Sequence, residues 1–167
     1  MDQDLEGTFL NMLDVLHPKI FRICISYTKN SEEAKDLFQE VLINIWKALP
    51  NFKNRSSLST WVYRITINVS LRYRTNLMKG KAKYKYLGSI EIEHIPAVVQ
   101  DNSNEKLEFL RACVRNLNEV DKALITLFLE ELTYREIAEI MGLKENTVAV
   151  KIKRIKTKLL NCIKDKL

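Results

Sequence analysis

Apolar residues recur at intervals of three and four along most of this chain, and that spacing restricts it to folds built from packed helices. Two stripes carry the pattern most clearly: Phe9, Met12, Leu16, Ile20, Ile23 and Tyr27, and then Ala34, Leu37, Phe38, Val41, Leu42, Ile45 and Trp46. The 167 residues include only 4 glycines and 3 prolines, which disfavours turn-rich sandwiches and barrels. We therefore predict an all-α protein.

Polar residues and prolines mark the expected helix ends in the first half of the chain. Pro18 should kink the first helix or begin a new one, because proline has no backbone N–H to donate. Ser31 is the expected N-cap of a second helix, which stops before Pro50. After a polar loop, Ser59 is the expected cap of a helix that runs to about Thr75.

The second half of the chain carries its own helix signals. Capping-box spacings begin at Asn102 and Thr133, and Asn118 is the expected cap of the helix between them. Gly142 is a natural stop for the helix that Thr133 begins, and a last helix should start near Glu145. Four helices are therefore predicted after residue 101.

Residues 77–101 separate these two helical regions. They show no sustained apolar period and contain two glycines and a proline, so we predict a flexible linker there. The expected organisation is two small helical domains, at residues 1–76 and 102–167, joined by that linker.

The formal net charge of +6 is spread unevenly along the sequence. Residues 56–86 include seven bases and no acid, and residues 144–167 include eight bases and two acids. Residues 87–110, between them, carry five acids and one base. Two basic blocks separated by an acidic stretch indicate two binding surfaces for a polyanion.

Several function classes are disfavoured. The three cysteines are far apart and form no Cys-x-x-Cys pair, so we expect neither a disulfide scaffold nor a zinc module, but small buried apolar residues. The two histidines have no ligand-type neighbour at helical spacing, and no glycine-rich phosphate loop occurs. We expect no secretory signal at the acidic N-terminus and no membrane span, because no apolar run is long enough. We expect a cytoplasmic, non-catalytic protein without metal or cofactor.

Residues 133–148 have the pattern of a helix-turn-helix motif. Ala138 is small enough for two helices to approach, Gly142 permits the turn, and Ile137 and Val148 supply apolar contact. Such a motif places its second helix in the major groove of DNA. Basic side chains of that helix are expected to contact phosphates: Lys151, Lys153, Arg154, Lys156 and Lys158.

The first half of the chain carries a second set of motifs: Asp36-Leu37-Phe38-Gln39-Glu40-Val41-Leu42, then Ile45-Trp46, Phe52, Trp61-Val62-Tyr63-Arg64-Ile65 and Asn68. This series resembles domain 2 of the extracytoplasmic-function (ECF) sigma factors of bacterial RNA polymerase, and the helix-turn-helix segment resembles their domain 4. The resemblance spans nearly the whole chain in the family's order. It implies a subunit that directs core polymerase to promoters and nucleates promoter opening.

The resemblance also implies partners. Asp36, Gln39 and Glu40 match the helix that docks on the coiled coil of the polymerase clamp. Their spacing of i, i+3 and i+4 places them on one helix face, which suits a partner helix. The other implied partners are promoter DNA and an anti-sigma factor.

For the minus-ten element, the resemblance implies a pocket that holds a base flipped out of the non-template strand. Such a pocket needs an aromatic wall and hydrogen-bonding groups. Since Trp61 and Tyr63 face different ways on a helix, we expect Trp61 in the core and Tyr63 toward DNA. The expected DNA-binding residues are Phe52, Asn54, Ser57, Tyr63, Arg64, Asn68, Arg72 and Arg74.

For the minus-thirty-five element, the expected DNA-binding residues are Asn146, Thr147, Ala149, Val150, Lys151, Lys153 and Arg154. This chain departs from the family at Ala149 and Val150, where polar residues that contact bases are common. DNA shape or contacts with thymine methyl groups should then carry more of the specificity.

Two other classes of protein remain as alternatives. A helix-turn-helix regulator with an N-terminal dimerisation or sensing domain would bind its operator tightly without polymerase, but it leaves the first-half motifs unexplained. A nucleic-acid-processing enzyme would need a metal-binding carboxylate cluster or a nucleophile–base pair, and neither is visible in the sequence.

Overall fold

The computed structural model describes residues 2–78 and 105–166, and the regular elements within those two ranges are all helical. The chain divides into two compact units. The first contains helices α1 (Asp2–Ser26), α2 (Ser31–Ala48) and α3 (Leu58–Met78), with a 3-10 turn at Leu49–Asn51. The second contains α4 (Glu105–Arg115), α5 (Glu119–Leu129), α6 (Tyr134–Met141) and α7 (Glu145–Lys166). The prediction of an all-α protein with two helical domains is confirmed.

Helix α1 continues through Pro18, so of the two predicted outcomes, a kink or a new helix, the new helix does not occur. Proline removes one hydrogen bond from the ladder, but the apolar stripe on both sides of it is firmly packed. Leu16 is 5% exposed and Ile20 is fully buried. Packing of this stripe against α2 and α3 holds the two halves of α1 in one helix.

Helix α2 is capped by Asn30, one residue earlier than predicted. The Asn30 side chain accepts a hydrogen bond from the Glu33 backbone N–H at 2.9 Å, and the Glu33 carboxylate accepts one from the Lys29 N–H at 2.9 Å. Ser31 therefore belongs to the first helical turn. Both candidates are good capping residues, and the spacing to Glu33 favours asparagine.

Helix α3 begins at Leu58, and its cap is Ser57 instead of Ser59. The Ser57 hydroxyl accepts from the Thr60 N–H at 3.1 Å and donates to the Thr60 hydroxyl at 2.9 Å. The helix ends at Met78, so the first two residues of the predicted linker are helical. The rest of that linker, residues 79–101, and Asn102 of the predicted capping box lie outside the described residues.

The helix ends of the second unit agree with the sequence predictions. The Asn118 side chain caps α5 by accepting from the Asp121 N–H at 2.9 Å. Thr133 and Glu136 form the complete capping box of α6. Gly142 ends α6 in the left-handed region at φ 67°, where glycine avoids the strain of a side chain.

A disulfide joins Cys113 of α4 to Cys162 of α7, which corrects the expectation that all three cysteines are unpaired. The two residues are 49 apart in sequence, but packing of α4 on α7 brings their Cα atoms to 6.0 Å. A cross-link that closes a loop of this length stabilises a fold by about 4 kcal/mol, chiefly by constraining the unfolded chain. Cys24 is buried as predicted, and its burial raises the pKa of the thiol.

Candidate docking and nucleic-acid surfaces

Helix α2 presents a polar face on the first unit. Its apolar side packs against α1 and α3, and Leu37, Val41 and Ile45 are fully buried. On the other side, Asp36 and Gln39 are exposed and Glu40 is half-buried. The structure therefore places the three predicted polymerase-docking residues together; we call them the α2 face.

The carboxylates of the α2 face are not used within the described part of the chain. There, neither Asp36 nor Glu40 forms an ion pair with a basic side chain. The i,i+4 pairing that a merely solvated helix face often shows is thus missing among the described residues. Two acceptor groups with one amide between them can hydrogen-bond to basic or amide side chains of a partner helix.

A second surface of the first unit is formed by the loop before α3 together with one side of α3. Phe52 is half-buried and packs against Trp61, with the ring centroids 5.0 Å apart. Asn54 is exposed and has a positive φ of 56°, a conformation that asparagine tolerates better than most residues. Ser57 is exposed, but its hydroxyl already makes the two hydrogen bonds that cap α3.

The two aromatic residues at the start of α3 are placed opposite to the prediction. Tyr63 is only 3% exposed and belongs to the core, whereas Trp61 is half-buried and contacts Phe52. The prediction of Tyr63 as a DNA contact is therefore wrong, because its ring has no open face for a base. Trp61 shares a helix face with Arg64 and Asn68, and this spacing was the signal that sequence reasoning missed.

The accessible side of α3 consists of Trp61, Arg64, Asn68 and Arg72, and we call it the α3 face. These residues recur at spacings of three and four; Asn68 and Arg72 are exposed, and Arg64 is half-buried. The Arg72 guanidinium donates to the Asn44 side-chain oxygen at 3.4 Å, which ties it to α2. Arg74 lies two residues beyond Arg72 and so on another side of the helix.

The α3 face combines three kinds of group. It has an aromatic pair at one end, an exposed amide about 10 Å along the helix, and two guanidiniums beside that amide. Aromatic rings stack on unpaired bases, amides hydrogen-bond to base edges, and guanidiniums bind phosphates. This combination suits single-stranded nucleic acid.

The helix-turn-helix motif of the second unit is formed by α6 and α7. Ile137 and Val148 are fully buried where the two helices meet, and Ala138 is 8% exposed. Along α7, Val148, Ile152, Ile155 and Leu159 form the buried stripe. The predicted DNA-binding residues lie outside this stripe: Asn146, Val150, Lys153 and Arg154 are exposed, and Thr147, Ala149 and Lys151 are half-buried.

Two of the basic residues on α7 contact other side chains of the second unit. The Lys156 ammonium lies 4.2 Å from the centre of the Phe128 ring, and the Lys158 ammonium lies 3.2 Å from an Asp121 carboxylate oxygen. Lys153 and Arg154, by contrast, form no ion pair within residues 2–78 and 105–166. Both side chains are therefore available to contact phosphates.

Within the same ranges, no group of three or more histidine, cysteine or acidic residues is arranged to hold a metal ion. No described helix has the length and apolar character needed to cross a bilayer.

The two units and their surfaces define a DNA-binding protein of the helix-turn-helix class with an additional helical docking unit. Comparison with known families agrees: Sigma-70 region 2 matches residues 12–79, and Sigma-70 region 4 matches residues 108–159. The chain belongs to the sigma-70 family of RNA polymerase sigma factors, and within it to the ECF group.

Three similar proteins illustrate the relationship. The ECF sigma factor SigW of Bacillus subtilis is 26% identical, over 98% of this chain and 91% of SigW. The ECF sigma-E factor of Haemophilus influenzae is 30% identical, over 77% of this chain and 73% of that protein. The sigma factor RpoE of Bartonella quintana, solved with the anti-sigma factor NepR, has the same fold, with a TM-score of 0.69 and 22% identity over 94% of this chain and 97% of RpoE.

Proposed function

We propose that this ECF sigma factor binds core RNA polymerase through the α2 face, opens the minus-ten element on the α3 face, and contacts the minus-thirty-five duplex with α7. The observation that carries the proposal is that the two units expose surfaces of different chemistry. The first unit exposes groups on α3 that suit unpaired bases. The second unit exposes the basic helix α7, which is the second helix of a helix-turn-helix motif. A protein that both locates a duplex and opens it needs both kinds of surface.

The residue roles follow from exposure and chemistry. We assign Asp36, Gln39 and Glu40 to the clamp coiled coil. Phe52, Trp61, Asn54 and Asn68 would hold the flipped base, with Arg64 and Arg72 on the neighbouring phosphates. In the second unit, Asn146, Val150, Lys153 and Arg154 would enter the major groove, with Thr147, Ala149 and Lys151 at its edge.

We infer the remaining properties from the family. The chain would act in the cytoplasm, where bacterial RNA polymerase works, and would add no enzymatic activity of its own. Since the B. quintana RpoE was solved in complex with an anti-sigma factor, we propose that this chain too is held inactive by one. The segment between the two units would let them reach two promoter elements at once.

The direct test is run-off transcription with purified core polymerase, the full-length chain and a library of genomic promoter fragments. We expect transcripts that begin at defined sites and depend on the chain. The free chain should bind the same fragments weakly, because in this proposal duplex opening requires polymerase. Tight sequence-specific binding by the free chain, without any specific transcript, would instead support the alternative regulator.

Replacing Asn68 by alanine is expected to slow promoter opening about 5- to 30-fold while leaving closed-complex formation within about twofold. The amide would bond the flipped base only after strand separation, and a lost hydrogen bond of this kind is worth roughly 1–2 kcal/mol. Stopped-flow fluorescence of a labelled promoter separates the two steps.

Asn11→Ala is the matched control for Asn68→Ala, because Asn11 is an exposed asparagine on α1 of the same unit. It should leave both steps unchanged. If Asn68→Ala slowed both steps equally, the amide would not belong to the base pocket.

A further inference from the structure

One exposed side chain on α7 differs in character from its neighbours. Val150 is 51% exposed, although it is apolar and β-branched. At 100° per residue, it lies about 10° from the direction opposite to the buried stripe of α7. Its position is therefore on the side of α7 that faces away from the domain, a side that it shares with Thr157. Nothing in the packing of the second unit requires a valine there.

The surroundings of Val150 are polar and basic. Asn146 lies one turn before it, and Lys153 and Arg154 lie about one turn after it, all exposed. From Asn146 to Arg154 this row extends about 12 Å, which corresponds to three or four base pairs. Val150 stands at its centre. The positive charges of Lys153 and Arg154 favour a polyanion as the binding partner of this face.

Within a polyanionic duplex, the apolar partners available to a valine are few. The major groove presents hydrogen-bond donors and acceptors on every base pair and a single apolar group, the C5-methyl of thymine. Phosphates and the other base edges offer valine no hydrogen bond. The favourable contribution that remains is the removal of the valine side chain from water when it packs against a methyl group.

We propose that Val150 is a specificity-determining residue, which selects a thymine at the centre of the minus-thirty-five element by packing its methyl groups on the thymine C5-methyl. This inference rests on the proposed function, since it requires α7 in the major groove. It goes further by assigning one base to one side chain. Asn146 and Arg154 on either side would contact the flanking base pairs.

The test replaces thymine by deoxyuridine, which removes the methyl group and leaves every hydrogen-bonding atom in place. Promoters identified by run-off transcription are prepared with one such replacement at each thymine of the minus-thirty-five element. Binding of the reconstituted holoenzyme to each fragment is measured by competition. We expect one central thymine at which the replacement weakens binding about fourfold, the value for loss of one buried methyl or methylene contact.

The Val150→Ala holoenzyme should bind the thymine and deoxyuridine fragments equally, so that the ratio of the two affinities is near one. Alanine is the strongest helix former, so the variant should keep α7 intact. The matched control is Leu160→Ala, which shortens another exposed apolar side chain on α7, at 52% exposure and on a different side. The control should keep the fourfold ratio.

Two results would overturn the inference. Either no thymine is sensitive to the replacement, or the sensitivity persists unchanged in Val150→Ala. Both are distinguishable from failure of the proposed function, because they would occur while the holoenzyme still makes promoter-specific transcripts. If such transcripts are absent altogether, the proposed function itself fails, and the inference with it.

Discussion

Replacing Asp36 and Gln39 together by alanine is expected to weaken binding of this sigma factor to core RNA polymerase roughly 100-fold. The two side chains are exposed on the α2 face, while the buried side of the helix is untouched. Loss of one charged and one neutral hydrogen bond in a desolvated interface amounts to about 3 kcal/mol. Fluorescence anisotropy of the labelled chain, titrated with core polymerase, measures the change.

A matched control for this pair exists on α1 of the same unit. Asn11 and Asp14 are also an exposed amide and an exposed carboxylate three residues apart. The Asn11→Ala/Asp14→Ala variant should bind core polymerase like the unaltered chain. Equal weakening by both double variants would show that removing polar groups anywhere on this unit has the same effect, and the assignment of the α2 face would be withdrawn.

Reversing the charges of Lys153 and Arg154 to glutamate is expected to reduce holoenzyme binding to the promoter duplex by at least about 100-fold at moderate salt. Each phosphate contact contributes through counterion release, so the slope of log affinity against log salt should fall by about two. Reversal adds repulsion from the phosphates. Promoter-fragment competition at several salt concentrations gives both quantities.

The control for this second prediction is Lys164→Glu/Lys166→Glu, which changes the charge by the same amount on the same helix. Both lysines are exposed in the last turn, more than two turns beyond Arg154. This variant should keep most of its affinity, and circular dichroism should verify that α7 is intact in both proteins. If both variants lose affinity and salt slope equally, α7 attracts DNA only by its overall charge.

The family and its motifs were accessible from the sequence because they depend on local patterns. The caps at Asn118 and Thr133 and the stop at Gly142 need only neighbours within one helical turn, and all three are confirmed. The cap at Asn30 was misplaced by one residue, since Asn30 and Ser31 are both competent caps. Pro18 does not begin a new helix, because packing on either side outweighs one lost hydrogen bond.

The candidate surfaces were predicted less completely. The assignment of Asp36, Gln39 and Glu40 to polymerase docking stays a prediction, and the structure shows that the three residues lie on one face of α2. At the proposed minus-ten surface, the prediction of Tyr63 as a DNA contact is wrong, because Trp61 shares a helix face with Asn68 and the buried Tyr63 does not. The spacing shows that the two rings face different ways, but it does not decide which one is buried. Contact with Phe52 holds Trp61 in a half-buried position, whereas Tyr63 lies in the core.

Helix periodicity, capping chemistry and the order of motifs were thus sufficient to establish the helices, the two domains and the family. Tertiary packing decided which ring of α3 stays accessible, which lysines of α7 are held by Phe128 and Asp121, and that Cys113 meets Cys162. The physical reason is the distance along the sequence between the groups that interact. A cap or a helical period is an interaction within a few residues, whereas burial, ion pairing and disulfide contact depend on groups distant in sequence that only the folded units bring together.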